Sequence, residues 1–144
     1  MREDLTEKIE ECLELLYKSE REGSEIIRMS KVSKALNLSP SSATVLLQKM
    51  AKLNLVIYEP YKGVRLTDKG RELAKKIIRK HRLSERLLTD LLGMDWTEVH
   101  EYACKLEHAI SDDLADIIEE RLGRPSTCPH GHPILENGML IDDL

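Results

Sequence analysis

Apolar residues along the first third of the chain recur at helical spacing. Leu5, Ile9, Cys12, Leu13 and Leu16 mark one face of a helix over residues 4–22, and Gly23 supplies its stop. Cys12 lies inside that stripe and reads as a small core residue. Val32, Ala35 and Leu36 point inward from a short helix over 30–36, followed by a tight turn at Asn37-Leu38. Ser39 then caps a third helix with Pro40 at its first position, where a missing N–H costs nothing. Ala43, Leu46, Leu47, Met50 and Leu53 are the expected buried face of that helix. The period next changes from helical to alternating. Val56-Ile57-Tyr58-Glu59 and Val64-Arg65-Leu66 are β-prone runs around the turn-forming Pro60-Tyr61-Lys62-Gly63, which predicts a hairpin.

Helical periodicity returns at Thr67, the cap of a long helix. Leu83, Leu87, Leu88, Leu91 and Leu92 form a rich apolar stripe that Gly93-Met94-Asp95 ends. Thr97, with His100 three residues on, opens the next helix. Ser111 caps a last one over 112–122, closed by Gly123 and Pro125. These C-terminal helices carry more apolar surface than they cover among themselves. A homodimer interface is one outlet, and cover by the N-terminal module is the other. The expected fold is mainly α, with a winged helix-turn-helix domain and its small β-hairpin wing over 1–70, then an all-α dimerisation domain over 71–144.

A short helix, a tight turn and a longer helix with small polar residues at its start make the helix-turn-helix pattern, whose second helix enters the major groove of duplex DNA. A hairpin directly after it is a wing. On this reading Ser39, Ser41, Ser42, Thr44 and Gln48 lie toward base edges, while Lys49, Lys52, Lys62 and Arg65 are placed for phosphates. The charge distribution agrees. The net charge is -4, yet residues 28–82 hold fourteen Lys/Arg against three acids, a net of +11, and residues 83–144 hold four against fourteen, a net of -10. A basic segment before an acidic one reads as a polyanion-binding module joined to a second module of different purpose.

With 144 residues and 41% hydrophobic content the chain buries a real core in one or two small domains. No run approaches the ~18 apolar residues of a membrane span, and the charged N-terminus is unlike a signal or transit peptide, so a cytoplasmic location and no membrane partner are expected. Cys12, Cys104 and Cys128 have no disulfide-framework spacing, and reduced thiols are expected.

The chemistry-bearing residues gather between His81 and His108. His81 and Glu85 are four apart, and His100, Cys104, Glu107 and His108 follow at spacings of four, three and one, so each set shares a helical stripe. Imidazoles, a thiolate and carboxylates together are what a divalent transition ion needs. Glu11 and Glu14 lie off the apolar stripe of the first helix, three apart; they are either solvated glutamates or available to a different partner. Cys128-Pro129-His130-Gly131-His132-Pro133 has ligand-type residues, but two prolines and a glycine make it first a turn rather than a second metal site. Residues 134–144 are short and acidic, and no role is assigned to them.

Arg79-Lys80-His81-Arg82-Leu83-Ser84-Glu85-Arg86-Leu87-Leu88, then Val99-His100-Glu101-Tyr102-Ala103-Cys104-Lys105-Leu106-Glu107-His108, with Cys128-Pro129-His130-Gly131 after them, resembles the diphtheria-toxin-repressor family of metal-dependent transcriptional regulators. The resemblance covers nearly the whole chain. It implies a winged-helix domain, a helical dimerisation domain, a divalent metal as corepressor, and operator binding by homodimers. His81, Glu85 and His100 match the family's ancillary metal site, and Cys104, Glu107 and His108 its primary site, with Glu11 at the position of the remaining primary ligand. That position is a methionine in the family's iron regulators and an aspartate in its manganese regulators, which also have a carboxylate where this chain has Cys104. Glu14 matches a manganese-regulator ligand, and Pro40-Ser41-Ser42, Ile57-Tyr58-Glu59 and Tyr61-Lys62-Gly63 resemble that branch's DNA-binding part. Iron regulators often add an SH3-like third domain, for which these 144 residues leave no room.

The resemblance implies metal-gated DNA binding, with iron(II) preferred because of the Cys104 thiolate and manganese(II) as the alternative. Two other classes stay open on the residues alone. A His/Glu/Cys cluster can hold a hydrolytic ion, although no Gly-rich phosphate loop or H-E-x-x-H motif accompanies it. A metal-independent winged-helix regulator with a merely structural ion is the other.

Overall fold

The structure, a computed structural model, describes residues 2–134, with side chains from Thr6 onward, so the expected core position of Leu5 lies outside the described side chains. It divides into two compact units, residues 1–74 and 75–144. In the first, helix α1 (Arg2–Arg21) is followed by α2 (Met29–Ala35), α3 (Pro40–Lys52) and an antiparallel hairpin of β1 (Val56–Glu59) and β2 (Gly63–Leu66). Helix α4 (Asp68–Arg86) contains the division between the units. The second unit continues through a π-helical turn at Leu87–Leu91, α5 (Val99–Leu106) and α6 (Asp112–Arg121). The fold is mainly α, a winged helix-turn-helix followed by an all-α unit.

Local chemistry sets the first unit. Gly23 ends α1 in a left-handed conformation (φ 99°), and the Ser39 hydroxyl accepts from the Ser42 amide at 3.2 Å, capping α3 with Pro40 at its first position. Cys12, Leu13, Leu16, Val32, Leu47 and Met50 are among the most deeply buried members of the core. Burial alone pushes the Cys12 thiol from 9.0 up to about 12, as befits a core residue. Two expected core positions are corrected. Ala35 is exposed, and its place is taken by Ser33, which is buried because its hydroxyl donates to the Leu38 carbonyl at 2.6 Å and closes the turn. Leu53 is 41% exposed because it is the C-cap of α3, past the last inward-facing turn, where Lys69 donates to its carbonyl at 3.1 Å.

The wing is stitched to the linker before α2. Ile27 exchanges two backbone hydrogen bonds with Val64, at 3.0 and 2.8 Å, a single bridge that ties the segment before α2 to the two-stranded hairpin. That approach is why residue 63 is glycine: a Cβ there would sit 2.5 Å from the Ile27 carbonyl oxygen, and its φ of 133° disfavours any side chain. Thr67 caps α4 through its hydroxyl, which accepts from the Gly70 amide at 3.0 Å. Arg71 then clamps α4 to α1 in a forked pair with Glu20, at 2.6 and 3.1 Å.

In the second unit, Leu83, Ile110, Ala115, Ile118 and Ile134 form one apolar cluster, and Leu88, Val99 and Ala103 a smaller one. The helix that sequence periodicity carried to Leu92 leaves α geometry after Arg86 and runs out through the π turn to Gly93 (φ 69°). Only part of its leucine stripe is inside: Leu83 and Leu88 are buried, Leu91 and Leu92 are 58% and 66% exposed. Thr97 does not cap α5 with its side chain. It donates its amide and hydroxyl to Asp95 at 2.9 and 2.7 Å, and α5 begins two residues later at Val99. Ser111 does cap α6, accepting from the Leu114 amide at 3.1 Å.

Candidate metal centre and nucleic-acid interface

The metal-type donors of the second unit converge on the buried C-terminal half of α4. His81 lies between two carboxylates, Nδ1 at 2.7 Å from Glu107 and Nε2 at 3.1 Å from Glu85, and Glu107 reaches on to His108 Nε2 at 3.3 Å. The side chains of Glu85 and Glu107 are only 3% and 2% exposed, so these are charges held inside the unit. Burial by itself would lower the His81 pKa. The hydrogen bonds His81 makes to Cys104, Glu107 and Glu85 overcome it and raise His81 from 6.5 to about 11, holding an imidazolium at neutral pH in the metal-free chain. The same contact acts on Glu85 in reverse: burial would raise its pKa, but the His81 hydrogen bond and the charges of His81, His130 and His100 lower it.

Helix α5 contributes one full turn of donors. His100 and Cys104 are i and i+4 on it, with Sγ 3.5 Å from Nε2, and the His100 ring packs edge-on against His81 with centroids 4.9 Å apart. Glu107 and His108 follow the last helical residue, Leu106, in the closing turn rather than on the helix proper. Ligand atoms of His81, His100 and Cys104 all lie within 4.8 Å of one another. Two imidazole nitrogens and a sulfur at that spacing suit a borderline transition ion, with the Glu107 carboxylate adjoining.

A second group of donors is one that sequence reasoning took for a turn. Glu85, Cys128 and His130 also offer ligand atoms within 4.8 Å of one another. The segment is a turn: the Cys128 amide donates to the His132 carbonyl at 2.8 Å and Gly131 donates to that of Cys128 at 2.9 Å. It is also docked. Arg86 donates to the Thr127 carbonyl at 2.6 Å and to the Cys128 carbonyl at 3.3 Å, and Arg82 donates to Pro133, so two α4 arginines hold the turn beside Glu85. His130 Nδ1 lies 2.6 Å from Glu85, while its Nε2 donates to the Trp96 carbonyl at 2.7 Å. The Cys-x-His spacing within a turn was the signal in the sequence. In the metal-free chain the nearest donor atoms thus include neighbours drawn from both sets, His81/Glu85/His100 and Cys104/Glu107/His108.

In the first unit, Glu11 is half-buried and paired with Lys8 at 3.3 Å, and Lys8 also donates to the Leu36 carbonyl. Glu14, three residues on, is half-buried. The face of α3 is exposed at Ser41, Ser42, Val45, Gln48, Lys49 and Lys52, and the hydroxyl of Thr44 turns back to donate to the Pro40 carbonyl at 3.0 Å. On the wing, Lys62 is 3.6 Å from Glu59 with both side chains well exposed, and Arg65 stands half-buried opposite Ile57. The basic run along α4 is not a free cationic stripe. Lys80 pairs with Asp112 at 3.1 Å, and Arg79 pairs with Asp116 at 2.8 Å and with Glu119. Three carboxylates of α6 thus offset part of the +11, all of it on the second half of α4, and leave the exposed cations of α2, α3 and the wing untouched.

A winged-helix reading domain joined to a unit rich in buried metal-type donors defines a class, the metal-responsive DNA-binding regulators. The chain belongs to the iron-dependent repressor family: residues 4–64 match its N-terminal DNA-binding domain and residues 67–136 its metal-binding and dimerisation domain. It is 41% identical over 112 residues to an uncharacterized HTH-type transcriptional regulator of Methanocaldococcus jannaschii, covering 78% of this chain and 90% of that one. It is 36% identical to the iron-dependent repressor IdeR of Mycobacterium tuberculosis and 35% identical to the diphtheria toxin repressor of Corynebacterium diphtheriae, each over 91% of this chain. The chain spans only 56% and 58% of those two repressors. Among solved structures, a manganese-dependent transcriptional repressor in complex with manganese matches with a TM-score of 0.81 at 34% identity, over 90% of this chain and 59% of that one. These relatives are transcriptional regulators, which sets the hydrolytic reading aside. No helix among the described residues is long and apolar enough to cross a membrane.

Proposed function

We propose that the chain is a cytoplasmic, iron(II)-activated repressor that binds operator DNA as a homodimer, with Cys104, Glu107, His108 and Glu11 as the primary ligands and His81, Glu85 and His100 completing the centre. Glu14 stands by as a carboxylate for a manganese-type arrangement. The observation that carries this reading is the cluster around the buried His81, in which its imidazole, the exposed His100 imidazole and the half-buried Cys104 sulfur have their donor atoms within 4.8 Å of one another. A bound ion supplies a double positive charge where the metal-free chain keeps a protonated imidazole. His81 must give up that proton to bind, while Glu107 and Glu85 are already placed to balance the charge. Cys104 decides the preference, because iron(II) gains more from sulfur than manganese(II) does.

Glu11 belongs to the reading unit and the other ligands to the helical unit, so an ion that takes donors from both favours one arrangement of the reading heads. A differential of about 1–3 kcal/mol between the arrangements changes operator affinity roughly 5- to 150-fold. Leu91, Leu92, Tyr102 and Ile117, all more than half exposed in the single chain, supply the apolar surface for a homodimer. Lys49, Lys52, Lys62 and Arg65 meet phosphates, and the α3 face beginning at Ser39, Ser41 and Ser42 and running past Thr44 to Gln48 enters the major groove. The test is anaerobic titration of the apo-protein with iron(II) and with manganese(II), read as binding to a fluorescent DNA duplex. Iron(II) is expected to act at the lower free concentration. Activation by manganese(II) at the lower concentration replaces the iron assignment with a manganese one, and binding indifferent to chelator overturns metal gating.

A further inference from the structure

The side chains that α3 presents to solvent at positions 41, 45, 48 and 52 are spaced i, i+4, i+7 and i+11, one continuous stripe. Three are polar. The one at the centre, Val45, is 63% exposed. A single exposed hydrophobe elsewhere needs no explanation. Here it is a β-branched residue on a solvent-facing helix position, where alanine or lysine forms helix better, and it lies inside the segment that matches a DNA-binding domain.

The small hydroxyls around it are engaged in holding the helix start together. Ser39 Oγ caps the Ser42 amide at 3.2 Å, donates to Ser42 Oγ at 2.9 Å and lies 3.2 Å from Ser41 Oγ. Thr44 Oγ1 donates to Pro40 at 3.0 Å. The serines and the threonine thus act first on the helix itself, which leaves the isopropyl group of Val45 as the central feature of the stripe.

We propose that Val45 is a specificity-determining residue that reads a pyrimidine 5-methyl group in the major groove, so that each half-site carries a thymine facing it. The proposal rests on the DNA-binding reading of α3 and deepens it. The thymine methyl is the apolar feature of the major-groove edge, and apolar side chains recognise it by contact. Lys49 and Lys52, exposed one and two turns further along α3, hold the C-terminal half of the helix to the phosphates beyond that contact.

The experiment begins with selection from a random duplex library by the metal-loaded full chain. Each thymine of the enriched sequence is then replaced singly by deoxyuridine, which removes the methyl alone. At one thymine per half-site the replacement is expected to weaken binding about fourfold, the value of one buried methyl group. That penalty should vanish in Val45→Ala, which folds at least as well because alanine favours the helix. Exchange of that T·A pair for C·G should weaken binding, and 5-methylcytosine in place of the cytosine should restore part of the loss. If no single deoxyuridine weakens binding, or if the penalty is the same in Val45→Ala, the assignment is overturned while DNA reading by α3 stands. A library that enriches no sequence overturns both.

Discussion

The two working surfaces of this chain are made in opposite ways. On α3 and the wing, every candidate contact residue is exposed or half-exposed, and the pairs among them, such as Lys62 with Glu59 at 3.6 Å, lie in water. Around His81 the working groups are inside: Glu85 and Glu107 are 3% and 2% exposed and touch the same imidazole. Charge in water is worth little to the fold and is free to act on a partner. Buried charge is expensive unless paired, so the donors of the second unit are bound up with its stability before any ion arrives.

The strongest way to break this comparison is to remove one carboxylate from inside. Glu107→Ala leaves the His81 imidazole without its shorter partner and is expected to cost about 3 kcal/mol of stability in chelator-treated protein at pH 6. Urea unfolding followed by circular dichroism measures it. A loss below about 1 kcal/mol, the range of exposed pairs, would show that the cluster is wetter than its burial indicates.

Next in size is the effect on the ion. Cys104→Ser removes the sulfur of the His81/His100/Cys104 group and is expected to weaken the iron(II) response at least about tenfold, since the softer ions gain most from thiolate. Metal-independent, nonspecific DNA binding should be unchanged, because no residue of the reading unit is altered. His130→Ala addresses the other donor group: it should remove one ion per chain in an iron or zinc titration while the first remains. Two ions bound to that variant would exclude Glu85/Cys128/His130 as a site.

A pH series sharpens the same contrast. The His81 pKa is raised in the folded, metal-free chain to about 11 from 6.5, so the stabilisation it carries is fully present below pH 6.5 and is lost as pH rises toward 11. The melting temperature of chelated protein should therefore fall across that window, and His81→Gln should flatten the fall. A wild-type profile flat from pH 7 to 10 would remove the imidazolium from the cluster.

What the sequence shows of all this depends on how locally each feature is encoded. The cap of α3 is written in Ser39-Pro40, and the wing in the change of period at Val56, because both need only near neighbours. The ligand stripe of α5 is legible for the same reason, His100 and Cys104 being one turn apart. The second donor group is not. Its members are 43 and 45 residues from Glu85 in the chain, and what joins them is a pair of arginines, Arg82 and Arg86, bonded to main-chain carbonyls that no side-chain pattern displays. Charge was legible in amount but not in disposition. The +11 of residues 28–82 reads as one cationic surface, whereas Asp112, Asp116 and Glu119, spaced i, i+4 and i+7 on α6, pair with Lys80 and Arg79. The exchange of Ala35 for Ser33 in the core has a similar origin, since a buried hydroxyl is acceptable only where a carbonyl such as that of Leu38 awaits it.

The smallest expected effect tests the exposed side of the comparison. Lys62 stands at the wing tip beside Tyr61, whose backbone is left-handed (φ 70°), and its ion pair with Glu59 has the two side chains 79% and 56% exposed. Lys62→Ala should therefore leave the unfolding midpoint where it is. It should still weaken DNA binding, alike for every sequence, and reduce the slope of log affinity against log salt by about one, because one phosphate fewer is neutralised and its counterion stays condensed on the duplex. Binding measured by fluorescence anisotropy across a salt series, on the enriched duplex and on a scrambled one, separates the possibilities. A loss confined to the enriched duplex would make Lys62 a reader of bases, and an unchanged slope would take the wing tip away from the phosphates.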